Sequence, residues 1–180
     1  MITAANWGLT VLDDTPQGWS EYVSPDLVNW TFNQFPFDEY TNPYGDLWGG
    51  SVVIDEDNTA GLGYGQVFYF ISQPGNGAYI TQMIGRWTAP ELGLPPVFEG
   101  CVLAPPAGYP RQAGSGFRDS RVFRDTVNSQ WILGVTIDYG LAFYTSTDLT
   151  NWSLAWVGYW SQWQQIECPT MFRMAAVDGT

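Results

Sequence analysis

Two short segments put an acidic residue in company that suits chemistry. In Phe117-Arg118-Asp119-Ser120-Arg121-Val122-Phe123 an Arg–Asp pair stands at the head of an apolar stretch, and in Ile166-Glu167-Cys168-Pro169 a glutamate follows the aromatic run YWSQWQQ. A carboxylate beside Arg tends to stay ionised, which suits charge stabilisation or the binding of hydroxyl groups. A carboxylic acid near aromatic surface tends to hold its proton, which suits a general acid. Two carboxyl groups tuned apart are what glycoside hydrolysis requires. The plainer alternative makes Arg118 and Asp119 a structural ion pair and Glu167 a turn residue; residue types alone leave both readings open.

Composition narrows the field around these two acids. The chain carries 18 acidic residues against 6 basic ones, all Arg, for a net charge of −12. Nucleic acid and anionic membrane surfaces both call for a basic patch, so neither is expected as a partner. A neutral partner such as sugar, met by aromatic platforms and carboxylates, fits better, although acidity also serves solubility alone. The absence of His removes Ser-His-Asp and Cys-His catalysis and His-ligated metal sites. Cys101 and Cys168 are the only cysteines and show no CxxC spacing. No stretch reaches the apolar length of a membrane span, and the start, MITAANWGLT, lacks the charged and apolar regions of a secretory signal. Location in the cell stays open.

The elements that must position the acids read as strands. Twenty Gly and 12 Pro are spread along 180 residues, and aromatic or β-branched runs are broken at short intervals by Gly, Pro, Asn and Asp. No window holds helical spacing free of breakers, so the class is all-β, in one domain over 1–180. GQVFYFIS predicts a buried strand, WGGSVVIDEDNTAGLG a strand running into a turn, and RVFRDTVNSQWILGVTI a hairpin turning at Asn128-Ser129. VLDDTPQGW predicts a strand end and a turn. The Pro- and Gly-rich segment 92–116 predicts a long surface connection.

One internal echo organises the whole. VSPDLVNW (23–30) and TSTDLTNW (145–152) share five of eight positions: Ser, Asp, Leu, Asn and Trp. Each predicts a tight connection between antiparallel strands, with Ser and Asp accepting backbone N–H groups, Leu plugging inward and Trp covering the next strand. The copies lie 122 residues apart, so one intervening copy gives a period of roughly 61, with Gly85-Arg86-Trp87-Thr88 near its midpoint. Repeats of this size with several strands each suggest propeller blades.

SPDLVNW, WGGSVVIDEDNTAG, FRDSRVF, FYTSTDLTNW and IECPTMF occur in the order found in glycoside hydrolase family 32. The chain resembles that family over nearly its whole length, with 92–116 the least recognisable part. The resemblance implies a five-bladed β-propeller of which this chain covers roughly the first three blades. It also implies a retaining glycosidase or fructosyltransferase acting on β-fructofuranosyl linkages in sucrose, inulin or levan, without metal or organic cofactor. On it, Asp119 is the transition-state stabiliser and Glu167 the general acid/base. Arg118, Trp19 of GWSEYVS, and Trp48 and Ser51 of WGGS line the substrate site, and Cys168 supports the acid beside it, which leaves both cysteines as free thiols. Trp19 and Trp48 read equally well as core aromatics.

Departures from the family accompany the match. Its nucleophile lies in a Trp-x-Asn-Asp-Pro-Asn-Gly-like segment that nothing here resembles, so the chain is expected to start downstream of it. Asp13 and Asp14 are not taken for the nucleophile. Ser120 replaces the Pro usual after Asp119, and Gly49 replaces the first Ser of the pocket segment. The alternative function is a non-catalytic carbohydrate-binding or pseudoenzyme propeller that keeps Trp19, Trp48 and Asp119 for sugar contact.

Overall fold

Short runs of alternating or continuous apolar residues, each closed by a breaker, fold here as strands and turns. The computed structural model describes residues 2–7, 19–37, 47–73, 83–105, 116–137, 139–159 and 166–174. In chain order its strands are β1 (Ile2–Trp7), β2 (Trp19–Ser24), β3 (Thr31–Phe37), β4 (Gly50–Asp55), β5 (Gln66–Gln73), β6 (Met83–Ala89), β7 (Val97–Leu103), β8 (Phe117–Asp125), β9 (Gln130–Ile137), β10 (Gly140–Ser146) and β11 (Ser153–Tyr159). No helix occurs among the described residues, and the all-β expectation holds. Consecutive strands pair antiparallel into three meandering sheets, β1-β2-β3, β4-β5-β6-β7 and β8-β9-β10-β11.

The middle sheet is walled on both sides, and β5 shows why its sequence is apolar from Val67 to Ile71. Side chains alternate across a strand. Val67, Tyr69 and Ile71 point into a core shared with Trp19, Phe37 and Leu47 on the first-sheet side. Phe68 and Phe70 point into a second core with Leu133, Val135 and Ile137 of the third sheet. A strand buried on both faces reads as a continuous hydrophobic run rather than an alternating one.

The echo turns join β2 to β3 and β10 to β11, as the repeated motif predicts. Asp26 Oδ1 accepts Val28 N at 2.9 Å and Asn29 N at 2.8 Å; Asp148 Oδ1 accepts Thr150 N at 2.9 Å and Asn151 N at 2.7 Å. In both copies the Asn side-chain amide donates 2.7 Å to the second carboxylate oxygen. The Leu is left-handed in each, with φ 64° at Leu27 and 58° at Leu149. The copies part in their surroundings: Leu149 is 0% exposed and Leu27 56%. Leu149 packs into the core between the second and third sheets, and Arg86 of β6 donates 3.3 Å to its carbonyl. The inward plug is therefore correct for one copy and not for the other.

Two further expectations need correction. Gly85-Arg86-Trp87-Thr88 is no turn but the middle of β6, paired to β5 and β7, and Trp87 is buried in the core. The connection equivalent to the echo turns is the one that follows β6, residues 90–96. A third Asp-x-x-Asn turn does exist, at the β8–β9 hairpin, where Asn128 Nδ2 donates 2.6 Å to Asp125 Oδ2. The segment 92–116 is not wholly a connection, because β7 lies within it. As an edge strand β7 is largely uncovered and slips register twice against β6, so its residues lack the apolar signature of an inner strand. Asp13, Asp14, most of VLDDTPQGW and, past Tyr159, the aromatic run before Glu167 lie outside the described residues.

Candidate active site

Asp119 sits at a break in an otherwise regular ladder. β8 pairs β9 through Arg118↔Thr136 and then Arg121↔Gly134, so one extra residue is accommodated between them. Such a bulge re-aims a side chain, and Asp119 takes a left-handed φ of 57°, which Asp tolerates better than most residues. The bulge is pinned from below by hydroxyls. Asp119 N donates 2.7 Å to Ser72 Oγ, Ser120 Oγ donates 2.9 Å to Phe70 O, and Val122 N donates 3.0 Å to Ser51 Oγ. Thr136 Oγ1 donates 2.8 Å to Arg118 O on the other side.

The Glu167 segment folds onto this bulge. Cys168, also left-handed at φ 49°, donates its backbone N–H 3.1 Å to Asp119 Oδ2, and its Sγ lies 3.8 Å from the same oxygen. Arg118 completes the cluster: its Nε is 3.7 Å from Asp119 Oδ2 and its Nη2 is 2.6 Å from Glu167 Oε1. The Asp119 side chain is 10% exposed and that of Glu167 is 59% exposed, so one acid is sunk and the other stands towards solvent. Burial, and then the charges of Asp119 and Glu167, push the Cys168 thiol above the usual range, so it is held protonated at neutral pH. Cys101 and Cys168 are both free thiols.

The aromatic candidates separate. Trp19 is buried at 4% exposure, edge-on to Phe37, and its indole Nε1 donates 3.0 Å to Trp48 O. Trp48 is half-buried, and its N–H donates 3.0 Å to Ser72 O. Trp19 thus carries the main chain that presents Trp48. Ser51 is buried, with its hydroxyl engaged on β8. The structure brings Arg118, Asp119, Glu167 and Cys168 into direct contact, with Trp48 joined to them through Gly49 and Ser72.

Three residues that sequence reasoning passed over shape the site. Ser72 is the polar residue at the end of an apolar strand. At Gly50 a Cβ would fall 2.2 Å from Phe70 O, the carbonyl that accepts Ser120, so the close approach of β4 to β5 requires glycine. At Gly116 a Cβ would fall 1.5 Å from Arg118 Nη1, so glycine there leaves room for the guanidinium. Among the described residues no group of three or more His, Cys, Asp or Glu side chains could hold a metal ion, and no helix is long and apolar enough to cross a membrane.

The family model for the glycosyl hydrolases family 32 N-terminal domain matches residues 9–180. The chain belongs to glycoside hydrolase family 32. It is similar to a levanbiose-producing levanase of Geobacillus stearothermophilus, 33% identical over 163 residues that cover 90% of this chain and 40% of that protein. A levanbiose-producing levanase of Bacillus subtilis is 33% identical over 172 residues, covering 93% of this chain and 32% of its own length. Among solved structures, a fructofuranosidase of Schwanniomyces occidentalis complexed with fructosylnystose matches with a TM-score of 0.72 at 21% identity, over 87% of this chain and 31% of that one. The exo-inulinase of Aspergillus awamori matches with a TM-score of 0.68 at 20% identity, over 87% and 35%. These likenesses in structure speak to the fold. The family 32 chain spans well under half the length of the relatives it matches.

Proposed function

We propose that this chain is the part of a retaining β-fructofuranosidase or fructosyltransferase that supplies the acid/base and the transition-state stabiliser. Its partner is a fructose-containing oligo- or polysaccharide such as levan, inulin or sucrose. The observation that carries the reading is the joining of two sequence-distant segments: the Cys168 N–H reaches the Asp119 carboxylate at 3.1 Å, and Arg118 reaches Glu167 at 2.6 Å. A structural ion pair alone requires no bulge at Asp119 and no left-handed backbone there.

In the proposed chemistry Asp119 accepts hydrogen bonds from fructose hydroxyls through the oxygen not taken by Cys168, and stabilises the positive charge that develops on the ring. Glu167, standing towards solvent, protonates the departing glycosidic oxygen and then takes a proton from the water or sugar hydroxyl that follows. Arg118 holds the two carboxylates in one place. Trp48 offers an apolar face to the sugar, while Trp19 and Ser51 fix the main chain behind it. In a retaining route the nucleophile stands about 5–5.5 Å from the acid; no residue of this chain is assigned to it. The three sheets read as consecutive blades of a five-bladed propeller, a reading supported by their order and by the cores between them.

The test is Glu167→Gln in the full-length protein. We expect hydrolysis of levan, inulin or sucrose to fall by about 10²–10⁴-fold, the usual contribution of a positioned acid, with folding unchanged. An unaltered kcat would take Glu167 out of the reaction.

A further inference from the structure

We propose that Ser72 is a positioning residue for Asp119: its hydroxyl locks the bulge of β8 to the Trp48-Gly49 segment that leads into β4. The proposal rests on Asp119 acting as the transition-state stabiliser. Ser72 is 1% exposed, so its hydroxyl has no route to a sugar. Its Oγ accepts the Asp119 N–H at 2.7 Å and donates its own O–H to Gly49 O at 2.5 Å. Its backbone continues the same tie, with Ser72 N donating 3.1 Å to Gly49 O and Ser72 O accepting Trp48 N at 3.0 Å.

The physical need is specific. The bulge turns the Asp119 N–H away from the β9 ladder and into the interior, where an unpaired donor is costly. A main-chain carbonyl could accept it but could not also donate to Gly49 O. A hydroxyl does both, and so fixes the left-handed turn at Asp119 and the path of the main chain beside Trp48 with one atom. Without it the amide is orphaned, the bulge relaxes, and the carboxylate moves away from where charge develops. Displacements of about 1 Å at such a point cost on the order of 10²-fold in rate.

The experiment compares Ser72→Thr with Ser72→Val in the full-length protein. These side chains share shape and differ in the hydroxyl, so packing disturbance is common to both. Activity on levan, inulin and sucrose is read as separate kcat and KM, with thermal unfolding in parallel, and each variant is repeated in an Asp119→Asn background. The expected result is near wild-type kcat for threonine and a loss of about 10–100-fold in kcat for valine. The valine loss should vanish in the Asp119→Asn background, because the residue being positioned is already disabled. Equal kcat for threonine and valine, with Asp119→Asn itself strongly impaired, would overturn the role of Ser72. A harmless Asp119→Asn would overturn the reading of the site instead. Should valine not fold, the same comparison is made between alanine and threonine, with the same two outcomes.

Discussion

Arg118 and Glu167, 49 residues apart in the chain, meet at 2.6 Å between a largely buried guanidinium and an exposed carboxylate. The guanidinium also lies 3.7 Å from Asp119, so one side chain spans both acids. A planar fork with several donors can do this; an ammonium reaches one carboxylate at a time. Arg118→Lys is therefore expected to lower kcat/KM by roughly tenfold or more in the full-length protein, while the lysine ammonium keeps a positive charge beside Asp119 so that the protein still unfolds cooperatively. Steady-state kinetics and a melting curve check both halves.

Gly116 gives a way to disturb that arrangement without touching a charge. The Cβ of alanine would occupy the place of Arg118 Nη1, and the side chain, being flexible, would swing aside. Gly116→Ala should reproduce the kinetic loss of Arg118→Lys with little change in melting temperature. Gly50→Ala should do the opposite in kind: its Cβ meets the Phe70 main chain, which cannot yield cheaply, so a loss of about 1–3 kcal/mol in unfolding free energy is expected by denaturant titration.

The pair of echo turns makes a matched comparison. Leu149→Ala removes a fully buried side chain and is expected to cost about 2–5 kcal/mol, whereas Leu27→Ala in the 180-residue chain should fall within about 0.5 kcal/mol. Burial raises the Asp148 carboxyl, yet the backbone and side-chain N–H groups of Asn151 and the N–H of Thr150 outweigh it and bring it to about 2. A folded-state value below the ordinary one gives stability that is complete above the usual carboxylate range and is lost as pH falls towards 2. Asp148→Asn should therefore flatten part of the acid limb of a stability–pH profile; an unchanged limb would count against the turn's role.

Cys168 reports on its acidic neighbours. Burial comes first among the causes that raise its thiol, followed by the Asp119 and Glu167 charges, which disfavour a thiolate. Alkylation by iodoacetamide, followed by peptide mass spectrometry, should begin only above the ordinary thiol range. In Asp119→Asn, with one negative charge gone, the onset should move to lower pH.

The all-β class and the two acidic segments that the structure brings together were legible in the sequence because each rests on local signals. Breaker spacing marks strands, and Phe117–Phe123 and Ile166–Pro169 are contiguous motifs. What stayed hidden depends on contacts between distant segments. Ser72 looks like a polar strand end until β8 brings Asp119 over it. Gly116 looks like loop composition until Arg118 folds back. β7 was missed because an edge strand with Glu99 and Gly100 has one covered side at most, and Gly85–Thr88 was misplaced because its resemblance to the echo was a matter of spacing rather than of turn residues.

The two-sided burial of β5 has a consequence for anyone altering this protein. Tyr69 and Phe70 are joined by a peptide bond yet answer to different cores, one shared with Trp19 and Phe37, the other with Leu133 and Val135. Their side chains belong to separate buried clusters, so substitutions at these adjacent positions should combine almost as independently as mutations in separate domains, whereas Tyr69 and Phe37, 32 residues apart with ring centroids at 5.2 Å, should be epistatic.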